Sequence, residues 1–165
     1  MSRQATALIV AICLVLGAGG VRAQGASVAF GGIKTDTTLP VEVTSDSLDV
    51  SQPDGLATFK GNVIVIQGDM RLTAAELEVV YVKGDQRRIE KLHATGGVTL
   101  VSPTEAAEAQ EAVYTVEAGE VVMTGDVLLT QGTNTLAGQK LVVDLKTGLG
   151  QMEGRVKTIL NPGGN

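Results

Sequence analysis

Gly61-Asn-Val-Ile-Val-Ile-Gln-Gly68, and the run from Leu72 to Tyr81 that follows it, decide the fold of this chain. The first stretch is short, apolar and bounded by glycine, and it reads as a strand buried on both faces. The second alternates. Leu77, Val79 and Tyr81 fall on one side, and Glu76, Glu78 and Val80 on the other. That is the two-residue period of a half-buried strand.

The unit recurs along the chain. Gly-x-Val stands at Gly61, Gly96, Gly125 and Gly154, and a second glycine series stands at Gly55, Gly84, Gly119 and Gly148. From each of the first three Gly-x-Val steps to the next turn glycine is 23 residues, so the period is 29 with one six-residue insertion after Gly84. Aligned on the turn glycines, Leu48, Leu77, Ala112 and Leu141 form one column, and Val50, Val79, Tyr114 and Val143 the next. On the other side Val63, Val98 and Val127 line up, then Val65, Leu100 and Leu129. Columns two residues apart belong to strands, not helices. Gln52-Pro-Asp-Gly55, Lys83-Gly-Asp85 and Lys146-Thr-Gly148 are turn chemistry, in which glycine supplies positive φ. Pro103 to Ala112 favours helix by composition, but the repeat aligns it with Gly68 to Leu77, so a strand is expected there.

No unit can bury its apolar row alone, and stacking about four of them makes continuous ladders. The expectation is an all-β, elongated body with an aliphatic inner space. Its end strands are unpaired edges carrying little charge, which favours head-to-tail self-association.

The rest of the chain bounds the function. Arg3, the apolar run Ala5 to Leu16 and Val21-Arg-Ala23 read as a secretory signal peptide over 1–23. A flexible leader is expected over 24–38, with an edge strand at Val28 to Phe30, then the β body over 39–160 and a flexible tail over 161–165. The chain has 13 basic residues; less Arg3 and Arg22, 11 face 18 acidic ones, a net charge of −7 for the exported part. That acidity argues against nucleic acid. One histidine, and a single cysteine (Cys13) inside the signal, leave no thiol nucleophile and no zinc set. No catalytic residue, metal or cofactor is expected. Lys83, Arg87, Arg88, Lys91 and His93 cluster around the insertion. They read either as a solvated hairpin loop or as a rim for phosphate groups or an acidic partner.

Three stretches carry a family resemblance: Asp36-Thr-Thr-Leu-Pro-Val-Glu-Val-Thr-Ser-Asp-Ser-Leu-Asp-Val50, Phe59-Lys-Gly-Asn-Val-Ile-Val-Ile-Gln-Gly68 and Thr124-Gly-Asp-Val-Leu-Leu-Thr-Gln-Gly132. They resemble the periplasmic lipopolysaccharide-transport proteins of the LptA or OstA-like family, from about Asp36 to Leu160. The resemblance implies a twisted, V-shaped antiparallel β-jelly roll, open-ended, whose cleft takes the acyl chains of lipopolysaccharide. It implies a periplasmic, non-enzymatic carrier and end-to-end stacking. The expected partners are an inner-membrane-anchored transport protein at the N-terminal edge and an outer-membrane assembly barrel at the C-terminal edge. The family's lipid-contacting positions fall on Val41 and Val43, with an opposing aromatic at Tyr114. Joined to the columns, this gives an expected lining of Val41, Val43, Val63, Val65, Leu72, Leu77, Val79, Val98, Leu100, Tyr114, Val127, Leu129 and Val143. Arg87, Arg88 and Lys91 are the candidate head-group rim. Three other readings stay open: an inner-membrane-anchored partner of the same system, a β-helical polysaccharide enzyme or adhesin fragment, and an assembly module with a solid inside.

Overall fold

Alternating side chains and glycine turns produce a chain made of strands. The computed structural model describes the backbone of residues 26–29 and then residues 33–161. The expected signal peptide lies outside the described residues, as does most of the expected tail. The elements are β1 (Ala26–Ala29), β2 (Glu42–Thr44), β3 (Ser47–Ser51), β4 (Leu56–Gln67), β5 (Met70–Val82) and β6 (Asp85–Val101). β7 (Glu105–Thr115), β8 (Glu120–Gln131), β9 (Asn134–Asp144), β10 (Leu149–Glu153) and β11 (Lys157–Ile159) follow. They form one antiparallel sheet in the order β1-β10-β9-β8-β7-β6-β5-β4-β2, with β3 also on β4 and β11 also on β9. Of the stretch Pro103 to Ala112, everything from Glu105 on is strand, as the repeat demanded: tertiary pairing overrides local helix propensity.

The Gly-x-Val steps bend this sheet. Gly61, Gly96, Gly125 and Gly154 have φ between +77° and +84°, and the residues after them, Asn62, Gly97, Asp126 and Arg155, are also at positive φ. At these steps the register slips by one residue, between Lys60 and Val63, Thr95 and Val98, and Thr124 and Val127. Such an extra residue is a β-bulge, which bends and twists its strand. Glycine is required for space as well as for φ. A Cβ on Gly96 would stand 2.6 Å from that of Ala75, and one on Gly125 would stand 2.5 Å from Gln110 Cγ.

The bulges stand side by side, so the sheet folds along one line into two arms. The first arm contains Val63–Ala74, Val98–Ala109 and Val127–Gly138; the second contains Leu56–Lys60, Glu76–Thr95, Glu111–Thr124 and Lys140–Glu153. One hydrogen bond proves the fold-back. Tyr114 shares a row with Ala57 through Val79 and Leu92. Ala57 and Gln67 are ten residues apart on β4, which is about 33 Å along a straight strand. Yet the Tyr114 hydroxyl donates to Gln67 Oε1 at 2.9 Å. The arms therefore face each other, and one core fills the space between them.

Two expectations change. Val63 to Ile66 is not buried on both faces: Val63 and Val65 are 1% exposed, but Ile66 is 37% exposed. A single sheet folded on itself gives each strand one inner face only. The insertion after Gly84 is not a loop either. It lengthens β6, where Val82 pairs with Asp85 and Tyr81 with Ile89, so the extra residues are taken up as bulges.

Candidate functional site

Rows of facing residues build the interior. In the first arm Val43, Val65, Leu72, Leu100, Ala107, Leu129 and Leu136 form one cross-strand row. In the second arm Ala57, Val79, Leu92, Tyr114, Val121 and Val143 form another. Eleven of the thirteen expected lining residues are buried, the two exceptions being Val41 and Val43. Those two are half-buried and pack against the same core. The structure thus gathers all thirteen into one interior.

That interior is filled. A void of about 10 Å³ lies between the rows, bounded by Val65, Met70, Leu72, Leu77, Leu92, Ala94, Ala112, Tyr114 and Val121. This is room for about one water molecule, not for a hydrocarbon chain. Around this void the aliphatic rows of the two arms pack against each other in one core.

Several interior residues were not marked by the columns. Met70, Leu92, Met123, Leu136 and Met152 are all buried, and their alternation with less buried neighbours was the available signal. Gln67 is 1% exposed and continues the inner face of Val63 and Val65. Ile33, 1% exposed, comes from the Gly-rich segment assigned to the leader, where no periodicity announced it. Of that segment Ile33 joins the core, while Lys34, Asp36 and Thr38 stay exposed.

The mouth of the first arm is polar. Gln67, Ser102 and Glu105 are the buried polar residues among those described. Glu105 Oε1 accepts from Gln131 Nε2, while its buried Oε2 has no hydrogen-bond partner. Tyr114, on the opposite arm, has its hydroxyl pKa pushed above 10.0 by burial, against the lowering effect of the Gln67 bond. The basic residues are outside. Arg87 pairs with Asp85 at 3.4 Å, Arg88 with Glu117 at 3.7 Å, and Lys91 is exposed on β6.

The ends of the sheet differ. Leu48 and Val50 on β3 belong to the same rows as Leu77 and Val79, but they are 51% and 62% exposed because no strand lies beyond them. At the other end Ile159 and Leu160 are 50% and 69% exposed, while the chain's own β1 covers β10.

Comparison with known proteins places this architecture. The family described as LptA/(LptD N-terminal domain) LPS transport protein matches residues 42–149. An uncharacterised protein of Rhizobium meliloti is 30% identical over 150 residues, covering 85% of this chain and 81% of that one. Lipopolysaccharide export system protein LptA of Escherichia coli K12 is 29% identical over 128 residues, covering 73% and 68%. Among solved structures, the crystal structure of LptH, the LptA homologue of Pseudomonas aeruginosa, superposes with a TM-score of 0.69. It is 21% identical and covers 78% of this chain and 99% of LptH, and it shows the same β-jelly-roll fold.

Proposed function

The chain belongs to the LptA/(LptD N-terminal domain) family of LPS transport proteins, and from that premise we propose a periplasmic, non-catalytic carrier that holds lipopolysaccharide acyl chains between its two arms. The observation that carries the reading is the pair of aliphatic rows facing each other across the fold, with eleven of the thirteen expected lining positions buried and Val41 and Val43 packed against them.

The physics is that of exchange. Parting the arms exposes apolar surface at about 25 cal/mol per Å². An acyl chain that enters covers the same surface again, and each methylene taken from water gains about 0.8 kcal/mol. Ten methylenes amount to about 8 kcal/mol on that scale. Because the row is made of similar aliphatic sites, no position is a deep trap, and the lipid can slide along it. The exposed apolar ends then serve hand-over. The β3 edge takes an inner-membrane-anchored partner or a second copy; the β11 edge takes the N-terminal domain of an outer-membrane assembly barrel. Arg87, Arg88 and Lys91, at the free end of the second arm, are the groups available for head-group phosphates.

The test is binding of purified lipopolysaccharide against the same lipid with its acyl chains removed. Saturable capture of the acylated form alone is expected. Equal capture of both forms would overturn the acyl-chain reading. A second reading is favoured by one observation, the void of only about 10 Å³. In it the inside is solid and the exposed edges assemble the protein into a β structure without lipid. Capture of neither form, with end-to-end assembly intact, selects that reading.

A further inference from the structure

The mouth between the arms is closed by a segment that belongs to neither of them. Ile33 is held by no strand ladder, yet it is 1% exposed and lies within the core. Two residues on, the Thr35 amide donates to the Leu145 carbonyl at 3.1 Å, at the end of the second arm. The Thr35 hydroxyl donates to the Gln67 carbonyl at 2.9 Å, at the end of the first. One residue thus ties the two free ends together. Gln67 completes the closure: its Nε2 donates to the carbonyls of Thr37 at 3.1 Å and Leu39 at 2.9 Å, and its Oε1 accepts from Tyr114.

We propose that Ile33–Leu39 is a gate, with Ile33 filling the apolar mouth in place of an acyl chain and Gln67–Tyr114 as the latch that lipid loading releases. This rests on the carrier reading. An apolar seal would weaken gradually as the arms part, whereas directional hydrogen bonds inside a low-dielectric mouth are either made or broken. The result is a bistable closure. The carbonyls of an acylated sugar can accept from Gln67 Nε2 and the Tyr114 hydroxyl, and its hydroxyls can donate to Gln67 Oε1, so opening does not leave these polar groups bare.

Leu39 and Asp69 line one surface hollow at the strap, and both are exposed. With the single native cysteine replaced (Cys13→Ser), Leu39→Cys and Asp69→Cys are joined by a short bis-maleimide linker whose spacer contains a cleavable disulfide. The linked protein is expected to capture purified lipopolysaccharide at least tenfold less than the same sample after cleavage. Equal capture by linked and cleaved forms overturns the gate and leaves the carrier intact. A cleaved form that captures nothing, alongside a wild type that also captures nothing, overturns the carrier and the gate with it. Hydrogen exchange gives a second readout without mutation. The Thr35 amide should exchange faster in the lipid-saturated protein, and unchanged exchange at saturation overturns the gate.

Discussion

The two arms come from one repeating pattern and bury the same kind of side chain, yet they end differently. The second arm stays apolar to its tip, where Val79, Val143 and Leu145 are at most 2% exposed. The first ends on Gln67, Ser102 and Glu105, buried and polar. Repetition can copy an aliphatic row from strand to strand, because each copy needs only bulk and parity. It cannot copy a closure, which needs particular donors and acceptors at one place. One arm therefore supplies surface, and the other supplies the end that shuts.

The sharpest way to break this comparison is to remove the fold line both arms share. Gly96→Val drives a branched side chain into Ala75 at φ +82° and should lower stability by about 3 kcal/mol or more, measured by denaturant unfolding. Gly97→Ala is the control. It sits at φ +85° with nothing within 4 Å, so its cost should be about 1 kcal/mol.

Next come two residues of one row. Leu77→Ala empties a site that is 1% exposed and should cost about 3 kcal/mol. Leu48→Ala, in the same row but 51% exposed at the edge, should stay within about 0.5 kcal/mol. Leu48→Asp should leave the melting curve unchanged while reducing self-association in light scattering over a concentration series. A Leu48→Ala loss as large as that of Leu77→Ala would mean the edge is already covered in the isolated chain.

The arms' polar and apolar tips are then compared through the latch. Tyr114→Phe leaves Gln67 Oε1 buried without its donor and should cost about 1–2 kcal/mol, with faster exchange at the Thr35 amide. The pH dependence is smaller. The Tyr114 hydroxyl is raised in the fold, so its contribution is present in full below pH 10.0 and lost as the pH climbs through the raised value. Asp144 is lowered from 3.8, first by the Thr147 amide at the β9–β10 turn. Its contribution is present above 3.8 and lost as the pH falls through the depressed value, where exchange at the Lys146 and Thr147 amides should quicken.

Most of the fold was legible because strand parity and glycine spacing are local signals. Val63, Val65, Leu77 and Val79 fall in columns two residues apart, and the Gly-x-Val period marks the positions at which the structure places the bulges, although the bend itself was implied only by the family resemblance. The filling of the interior was not legible. Whether two aliphatic rows touch or stand apart depends on how far the sheet bends, and alternation carries no angle. Ile33 was illegible for a different reason: a single isoleucine among glycines and alanines has no period, and its burial is set by hydrogen bonds its neighbours make to distant strands. Gln67 was half legible. Its parity matched Val65, but a glutamine on an inner face has meaning only once Tyr114 is known to face it.

One measurement bears on the central claim most directly. A photo-crosslinking side chain is placed at Val43, half-buried and facing the interior, and separately at its exposed neighbour Glu42, and each protein is irradiated with lipopolysaccharide. Lipid adducts at position 43 with little or none at 42 are expected. Adducts confined to position 42 would contradict a lipid path between the arms.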